Sequence, residues 1–297
     1  MKRFDEIKHY ILKEYNSPLK RHFWLIKAVF RNLLSPYTQI PYLEVFITTQ
    51  CNLKCDKCSN LIPHLAKQHH ISADEVITNI ENLLRWTNYI YRLKLHGGEV
   101  FLHPDLPKLI HYVLSNKRLL SIRLTTNGTI IPNELILNAL AGSRIVVQIS
   151  DYEIASGKIP KLIEKLKEHN IKFVYLKDRF WRDMGDFSLR ESNRFFECTI
   201  KRCTSMLNNE IFVCSRAAMA LNEHEISESY HINLSSTSQK EFKSHLKRLY
   251  TIPNEACSYC DGDTEFAKSI PAGKQVSKWK LRQLLQQKIV YHCLNAH

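Results

Sequence analysis

At 297 residues, 44% of them hydrophobic, the chain is long enough for one large domain or for a core with a small accessory domain, and it can bury a sizeable core. No run approaches the roughly 18 apolar residues of a membrane span, and no cleavable signal precedes the short apolar patch Phe23-Trp24-Leu25-Ile26, so the expected location is the cytoplasm. A net charge of +13 suits nucleic acid, an anionic membrane surface or a phosphorylated substrate, but no basic run interleaved with aromatics marks a nucleic-acid track.

In chain order, residues 1–40 read as an N-terminal helical segment. Ile7, Ile11, Leu12, Leu19 and Phe23 recur at roughly helical spacing, and Ser35-Pro36 ends the pattern. Such helices cover one end of a core; a membrane-surface role is the second reading. From Pro41 the pattern alternates. Strand-like segments fall near 43–48, 91–96, 120–126, 144–150 and 171–176, with helical segments near 72–87, 105–117, 132–140 and 159–169. Ser72-Ala-Asp-Glu75 opens the first helix as a capping box, and Pro132 and Pro160 sit where a first turn tolerates proline. Alternation of this kind predicts right-handed βαβ units and a parallel sheet. Five strands are too few for a closed eight-stranded barrel. The expected fold class is therefore α/β, a partial open (β/α)6-type barrel over residues 41–190.

In such a sheet, chemistry gathers at the carboxyl ends of the strands. The unusual residues lie there. Cys51, Cys55 and Cys58 follow the first strand, His96-Gly97-Gly98-Glu99 the second, Thr125-Thr126-Asn127-Gly128 the third, and Ser150-Asp151-Tyr152 the fourth. Three thiolates on one loop can hold three irons of a [4Fe-4S] cube and leave the fourth iron open to a small ligand.

Beyond residue 177 the alternation stops. The stretch Arg179-Phe180-Trp181-Arg182-Asp183 is aromatic and charged, and residues 198–262 carry five more cysteines, Cys198, Cys203, Cys214, Cys257 and Cys260. Asn208-Asn209 reads as a hairpin turn, because asparagine tolerates positive φ. Nine cysteines in all argue for metal or redox chemistry rather than disulfides, and the odd count fits a fully paired framework poorly. A small metal-centred domain is expected over 191–275, with a helix over 276–297. Four cysteine ligands here suit either a structural zinc ion or an iron–sulfur cluster.

The spacing Cys51-x3-Cys55-x2-Cys58, with Gly97-Gly98-Glu99 and Thr126-Asn127-Gly128 on successive strand ends, resembles the radical S-adenosylmethionine (SAM) superfamily over about residues 41–177. The resemblance implies that the open iron binds SAM and that reductive cleavage gives a 5′-deoxyadenosyl radical. It implies that Gly97 and Gly98 form the edge holding the methionyl amino group, that Glu99 adds a carboxylate for that ammonium, that Ser150 faces the ribose hydroxyls, and that Asn127 lines the pocket. Lys57 stands where the family often has an aromatic residue against the adenine. The later cysteines resemble the accessory SPASM module and its shorter twitch form. This implies a second, auxiliary [4Fe-4S] cluster held by Cys214, Cys257, Cys260 and either Cys198 or Cys203.

A fully ligated auxiliary cluster suits the oxidation of a secondary alcohol on a sugar or aminocyclitol, because it can accept the second electron. Arg182 and Asp183 are candidates for substrate contact or proton removal. An external one-electron donor such as flavodoxin or ferredoxin is implied. Two alternatives are maturation of a ribosomal peptide and a zinc-stabilised nucleic-acid-binding protein.

Overall fold

The computed structural model describes residues 7–12, 17–34, 37–65, 67–153, 157–201, 203–223 and 225–277. The expected C-terminal helix lies outside them, apart from residues 276 and 277. None of the described helices is long and apolar enough to cross a membrane.

The α/β core is an open sheet. Its strands are β1 (Thr38–Thr48), β2 (Thr87–Gly97), β3 (Leu119–Thr126), β4 (Ile145–Asp151) and β5 (Lys172–Lys177). All four neighbouring pairs are parallel. The crossovers carry α2 (Ala73–Leu84), α3 (Leu106–Ser115), α4 (Glu134–Leu140) and α5 (Ile159–Glu168), and α1 (Pro18–Leu34) precedes the sheet. Each crossover helix buries one apolar stripe, such as Val76, Ile80, Leu83 and Leu84 on α2, against the outward-facing Val45, Leu93, Leu95, Leu124 and Val147 of the strands. Side chains alternate across a strand. The same strands therefore turn Glu44, Lys94, His96, Thr125 and Gln148 to the other, concave face.

The sequence-derived boundaries hold to within a few residues for β2–β5, while β1 begins earlier, at Thr38. Ser72 caps α2 by accepting from the Glu75 amide at 3.2 Å. Pro132 stands before the cap rather than in the first turn, because Asn133 is the N-cap of α4 and accepts from the Ile136 amide.

The cysteine-rich segment continues the core sheet. Strand β6 (Phe180–Arg182) is followed by β7 (Ser205–Leu207), β8 (Glu210–Phe212), α6 (Ser215–Asn222), β9 (Ile232–Asn233), α7 (Gln239–Thr251) and β10 (Ser269–Pro271). β7 pairs parallel with β1, and β8 and β9 add antiparallel, giving the order β5-β4-β3-β2-β1-β7-β8-β9. The β7–β8 hairpin turns at Asn208 and Asn209, with φ of 50° and 61°. β6 pairs with β10 in a separate two-stranded ribbon.

Candidate functional site

A solvent-open cleft of about 1090 Å³ lies over the carboxyl ends of β1–β4. Cys51, Cys55 and Cys58 line it together with Gly97, Gly98, Asn127 and Ser150, so the loop and three strand ends meet at one cleft.

The Cys51–Cys58 loop is shaped by its own backbone and by distant contacts. Lys57 takes a left-handed φ of 60°. Its side chain pairs with Asp183 at 3.1 Å, which ties the loop to the segment after β6. The Leu61 amide donates to the Cys58 carbonyl at 3.0 Å, and Gln275 Nε2 donates to the Cys55 sulfur at 3.3 Å. Burial pushes the thiols of Cys51 and Cys55 up, to about 11 and about 12. A metal must displace those protons, and N–H donors around the sulfur favour the resulting thiolates. Three soft sulfur donors on one wall of an open cleft fit a [4Fe-4S] cluster with one exchangeable site.

Gly97 and Gly98 are required by close backbone approach. A Cβ at Gly98 would lie 2.1 Å from the Gln50 carbonyl oxygen, and one at Gly97 1.9 Å from that of Thr48. The Gly98 and Glu99 amides donate to Thr48 and Gln50 carbonyls at 2.9 and 2.8 Å, which locks the end of β2 onto the root of the cysteine loop. Asn60 Nδ2 donates to the Gly97 carbonyl at 3.0 Å.

Glu99 corrects the sequence expectation. Its carboxylate is fully buried and turned away from the cleft. It accepts from Thr126 Oγ1 at 2.8 Å, the Phe101 amide at 3.1 Å and the Asn127 amide at 2.8 Å. Burial raises its pKa to about 7 despite these donors. Glu99 thus fastens β2 to β3 and positions Asn127, rather than presenting a carboxylate to a ligand. Asn127 Nδ2 donates to Asn52 Oδ1 at 3.2 Å and lies 3.9 Å from Cys51 Sγ. Ser150 is buried on the cleft wall, whereas the Asp151 carboxylate turns to Tyr175 Oη, which donates to it at 2.6 Å.

Arg182 and Asp183 also differ from expectation, since neither lines the cleft. β6 pairs with β10, so Arg182 points outward and Nη1 donates to the Ala267 carbonyl at 3.1 Å. Asp183 is held by Lys57 and by the Gly185 amide. Their neighbours Trp181 and Met184 face the cleft instead. Trp181 meets Tyr152 edge-on, with ring centroids 4.9 Å apart.

A second, narrower cavity is walled by Cys198, Cys214, Cys257 and Cys260. Amides of Asp263, Ala217 and Gly262 donate to the sulfurs of Cys198, Cys214 and Cys260 at 3.4, 3.4 and 3.2 Å. Among the described residues no three His, Cys, Asp or Glu side chains converge tightly enough to hold a single ion. Four sulfurs ringing a larger space, with N–H donors behind them, fit a cluster. Cys203 is not part of this ring. It opens into the first cleft, because β7, which starts two residues later, lies alongside β1 at Glu44.

Four further residues shape the site, and of these only His96 stood out in the sequence, as part of the second strand's end. Glu44, Lys94 and His96 line the inner face of β1 and β2 beneath the rim. Glu44 Oε1 accepts from Lys94 Nζ at 2.9 Å and Tyr42 Oη at 2.8 Å. Burial opposes its ionisation, but Lys94, then His96, outweigh that and hold it well below the usual carboxylate range. Burial lowers His96 to about 4, and its Nε2 is buried with no hydrogen-bond partner, 3.9 Å from Glu44 Oε2.

Gln275 is the fourth. Residues 274–276 strap the cysteine loop: Asp56 donates to the Lys274 carbonyl at 2.6 Å and Val276 to that of Lys54 at 2.7 Å. Gln275 Oε1 accepts from the Lys54 amide at 2.7 Å, and Nε2 donates to Cys55 Sγ at 3.3 Å. Donors to a ligating sulfur stabilise the reduced cluster. Gln275→Ala should therefore lower the potential of the cluster in this cleft by tens of millivolts in an anaerobic redox titration followed by EPR. An unchanged potential would mean that this amide does not reach the ligand.

The open parallel sheet with a three-cysteine loop at its carboxyl edge defines an α/β partial barrel built for an iron–sulfur cofactor. The sequence model of the Radical SAM superfamily matches residues 45–177, and this stretch is a radical SAM superfamily domain. The family implies a [4Fe-4S] cluster and SAM. Among curated proteins, a probable GTP 3′,8-cyclase of Methanococcus maripaludis is 34% identical over 93 residues, 31% of this chain and 30% of that one. A second, from Methanococcus aeolicus, is 28% identical over 139 residues, 46% of this chain and 44% of that one. This chain spans about a third of the length of the first relatives it matches. Among solved structures, BtrN in complex with AdoMet and 2-DOIA aligns with a TM-score of 0.45 and 18% identity, covering 77% of this chain and 97% of that one. Streptococcus suis SuiB bound to precursor peptide SuiA aligns with a TM-score of 0.37 and 20% identity, covering 54% and 38%.

Proposed function

We propose that the protein is a two-cluster radical SAM enzyme that oxidises a secondary alcohol of a small polar substrate, a sugar or an aminocyclitol. The observation that carries this reading is the pairing of two cysteine-walled cavities, one open with three thiols and the other ringed by four. Cys51, Cys55 and Cys58 would hold the first cluster, and Cys198, Cys214, Cys257 and Cys260 the auxiliary one. Bound there, SAM and the first cluster supply a 5′-deoxyadenosyl radical, and the second cluster supplies a one-electron acceptor. An external donor such as flavodoxin or ferredoxin would feed the first electron.

This chain's own residues then bind and orient. Gly97 and Gly98 line the cleft beside the cysteine loop, where the methionyl end of SAM would lie, with Asn127 and Ser150 on the neighbouring strand ends. Trp181 and Tyr152 supply the aromatic surface for the adenine that Lys57 does not. Below them, Glu44 and Lys94 offer a charged acceptor and donor to substrate hydroxyls. His96, which lines the cleft with no partner at Nε2, is the candidate to take the hydroxyl proton.

The test is anaerobic reconstitution followed by incubation with SAM and a one-electron reductant. Iron without zinc, and 5′-deoxyadenosine release, are expected from the protein. Release should rise, with a ketone formed, on addition of the right member of a panel of sugars and aminocyclitols. GTP, the substrate in the relatives' name, belongs in the same panel, and a cyclised product from it would overturn the alcohol reading. Zinc without iron would overturn the radical reading altogether.

A further inference from the structure

α1 carries an apolar face that the fold leaves uncovered among the described residues. Leu19, Phe23, Ile26 and Phe30 recur at four-, three- and four-residue steps and so share one side of the helix. Leu19 is 83% exposed, and the other three are 57–59% exposed. The opposite side is already in use. Ala28 is buried with Ile7, Ile11 and Tyr91, and Trp24 and Leu25 pack against the same group. Gln39, at the start of β1, donates to the Ala28 carbonyl at 3.1 Å. α1 therefore lies across the amino ends of the strands, at the end of the sheet away from the cleft.

The charge beside this stripe has one sign. From Tyr15 to Leu43 the sequence holds Lys20, Arg21, Lys27 and Arg31 and not one Asp or Glu. Lys20 is exposed, and the Lys27 ammonium lies over the rings of Phe23 and Trp24, 5.3 and 4.8 Å from their centroids. Lys8, in the helical residues 7–12 that pack against α1 through Ile7 and Ile11, is exposed too. A second copy of this chain meeting the stripe about a two-fold axis would bring these cations together. An anionic lipid surface would complement both features. Bulky apolar side chains enter the acyl boundary, and lysines at the rim reach the phosphates.

We propose that α1 is a peripheral membrane anchor that docks the protein on anionic phospholipid, through Leu19, Phe23, Ile26 and Phe30, with the cleft facing away from the bilayer. The inference is independent of the reaction catalysed and of cluster content.

The test is co-sedimentation of the full chain with vesicles of phosphatidylcholine alone and of phosphatidylcholine with phosphatidylglycerol. Binding is expected only to the anionic vesicles, and it should weaken as salt rises. Phe23→Ser/Phe30→Ser should weaken it at least about tenfold, and Lys8→Glu/Lys20→Glu should weaken it as well. Circular dichroism and iron content after reconstitution should stay unchanged, because all four side chains are exposed. Absence of wild-type binding to anionic vesicles would overturn the proposal without recourse to any variant. So would equal binding to both vesicle types, or binding that the serine pair leaves intact. A dimer in light scattering that the serine pair dissociates, with no vesicle binding, would assign the face to a second copy instead.

Discussion

Replacing Cys51, Cys55 and Cys58 together by alanine should lower iron after anaerobic reconstitution from about eight to about four per chain. It should also abolish SAM cleavage to the background of the reductant alone. The three thiols share one loop whose backbone is set mainly by contacts other than the Gln275–Cys55 sulfur bond. The Gly98 and Glu99 amides hold Thr48 and Gln50, Lys57 pairs with Asp183, and residues 274–276 strap Lys54 and Asp56. Alanine leaves all of these in place and removes only the sulfurs with the Gln275 bond to Cys55, so the loop keeps its path. The four-cysteine cavity is walled by other residues and stabilised by other amides, so its iron should survive. Two outcomes would count against the reading. Loss of all iron would make the second cavity dependent on the first cluster, or empty of iron. Retention of SAM cleavage would show that this loop does not hold the reactive cluster.

Much of the core was legible because parallel βαβ units impose two clean periodicities. Val45, Leu93, Leu95, Leu124 and Val147 face the helices from alternate strand positions, and α2 buries Val76, Ile80, Leu83 and Leu84 at helical spacing. Asn208-Asn209 was legible for a local reason, since both residues take the left-handed conformation that a tight hairpin needs. What escaped the sequence was set by long-range pairing. Arg182 points out of the cleft because β6 finds β10, nearly a hundred residues later, and that pairing also carries Gln275 to Cys55. Glu99 shows a different limit. A carboxylate after two glycines at a strand end reads equally well as a ligand group or as a strut. Only the convergence of Thr126, Phe101 and Asn127 donors on it decides for the strut. His96 was visible as a residue but not as a buried, unpartnered one, because its environment is made by Glu44 and Phe46 of the next strand.

Cys198 and Cys203, the two candidates for the remaining ligand, make opposite predictions. Cys198→Ala should remove the auxiliary iron, bringing the total from about eight to about four, while Cys203→Ala should leave it at about eight. Cys198 shares its cavity with Cys214, Cys257 and Cys260 and receives the Asp263 amide at its sulfur. Cys203 lines the first cleft and not the four-cysteine cavity. The Glu44 amide donates to the Thr204 carbonyl at 2.8 Å, which fixes the chain just after Cys203 beside Glu44 and Lys94. Burial, then the Glu44 charge, push the Cys203 thiol up. Cys203→Ala should therefore change the response to substrate and spare both clusters. Cys198→Ala should spare SAM cleavage and stop multiple turnover, because the acceptor for the second electron is gone. Loss of iron in the Cys203 variant would return that residue to the ligand set. Full turnover in a Cys198 variant that has lost the auxiliary iron would remove the case for alcohol oxidation.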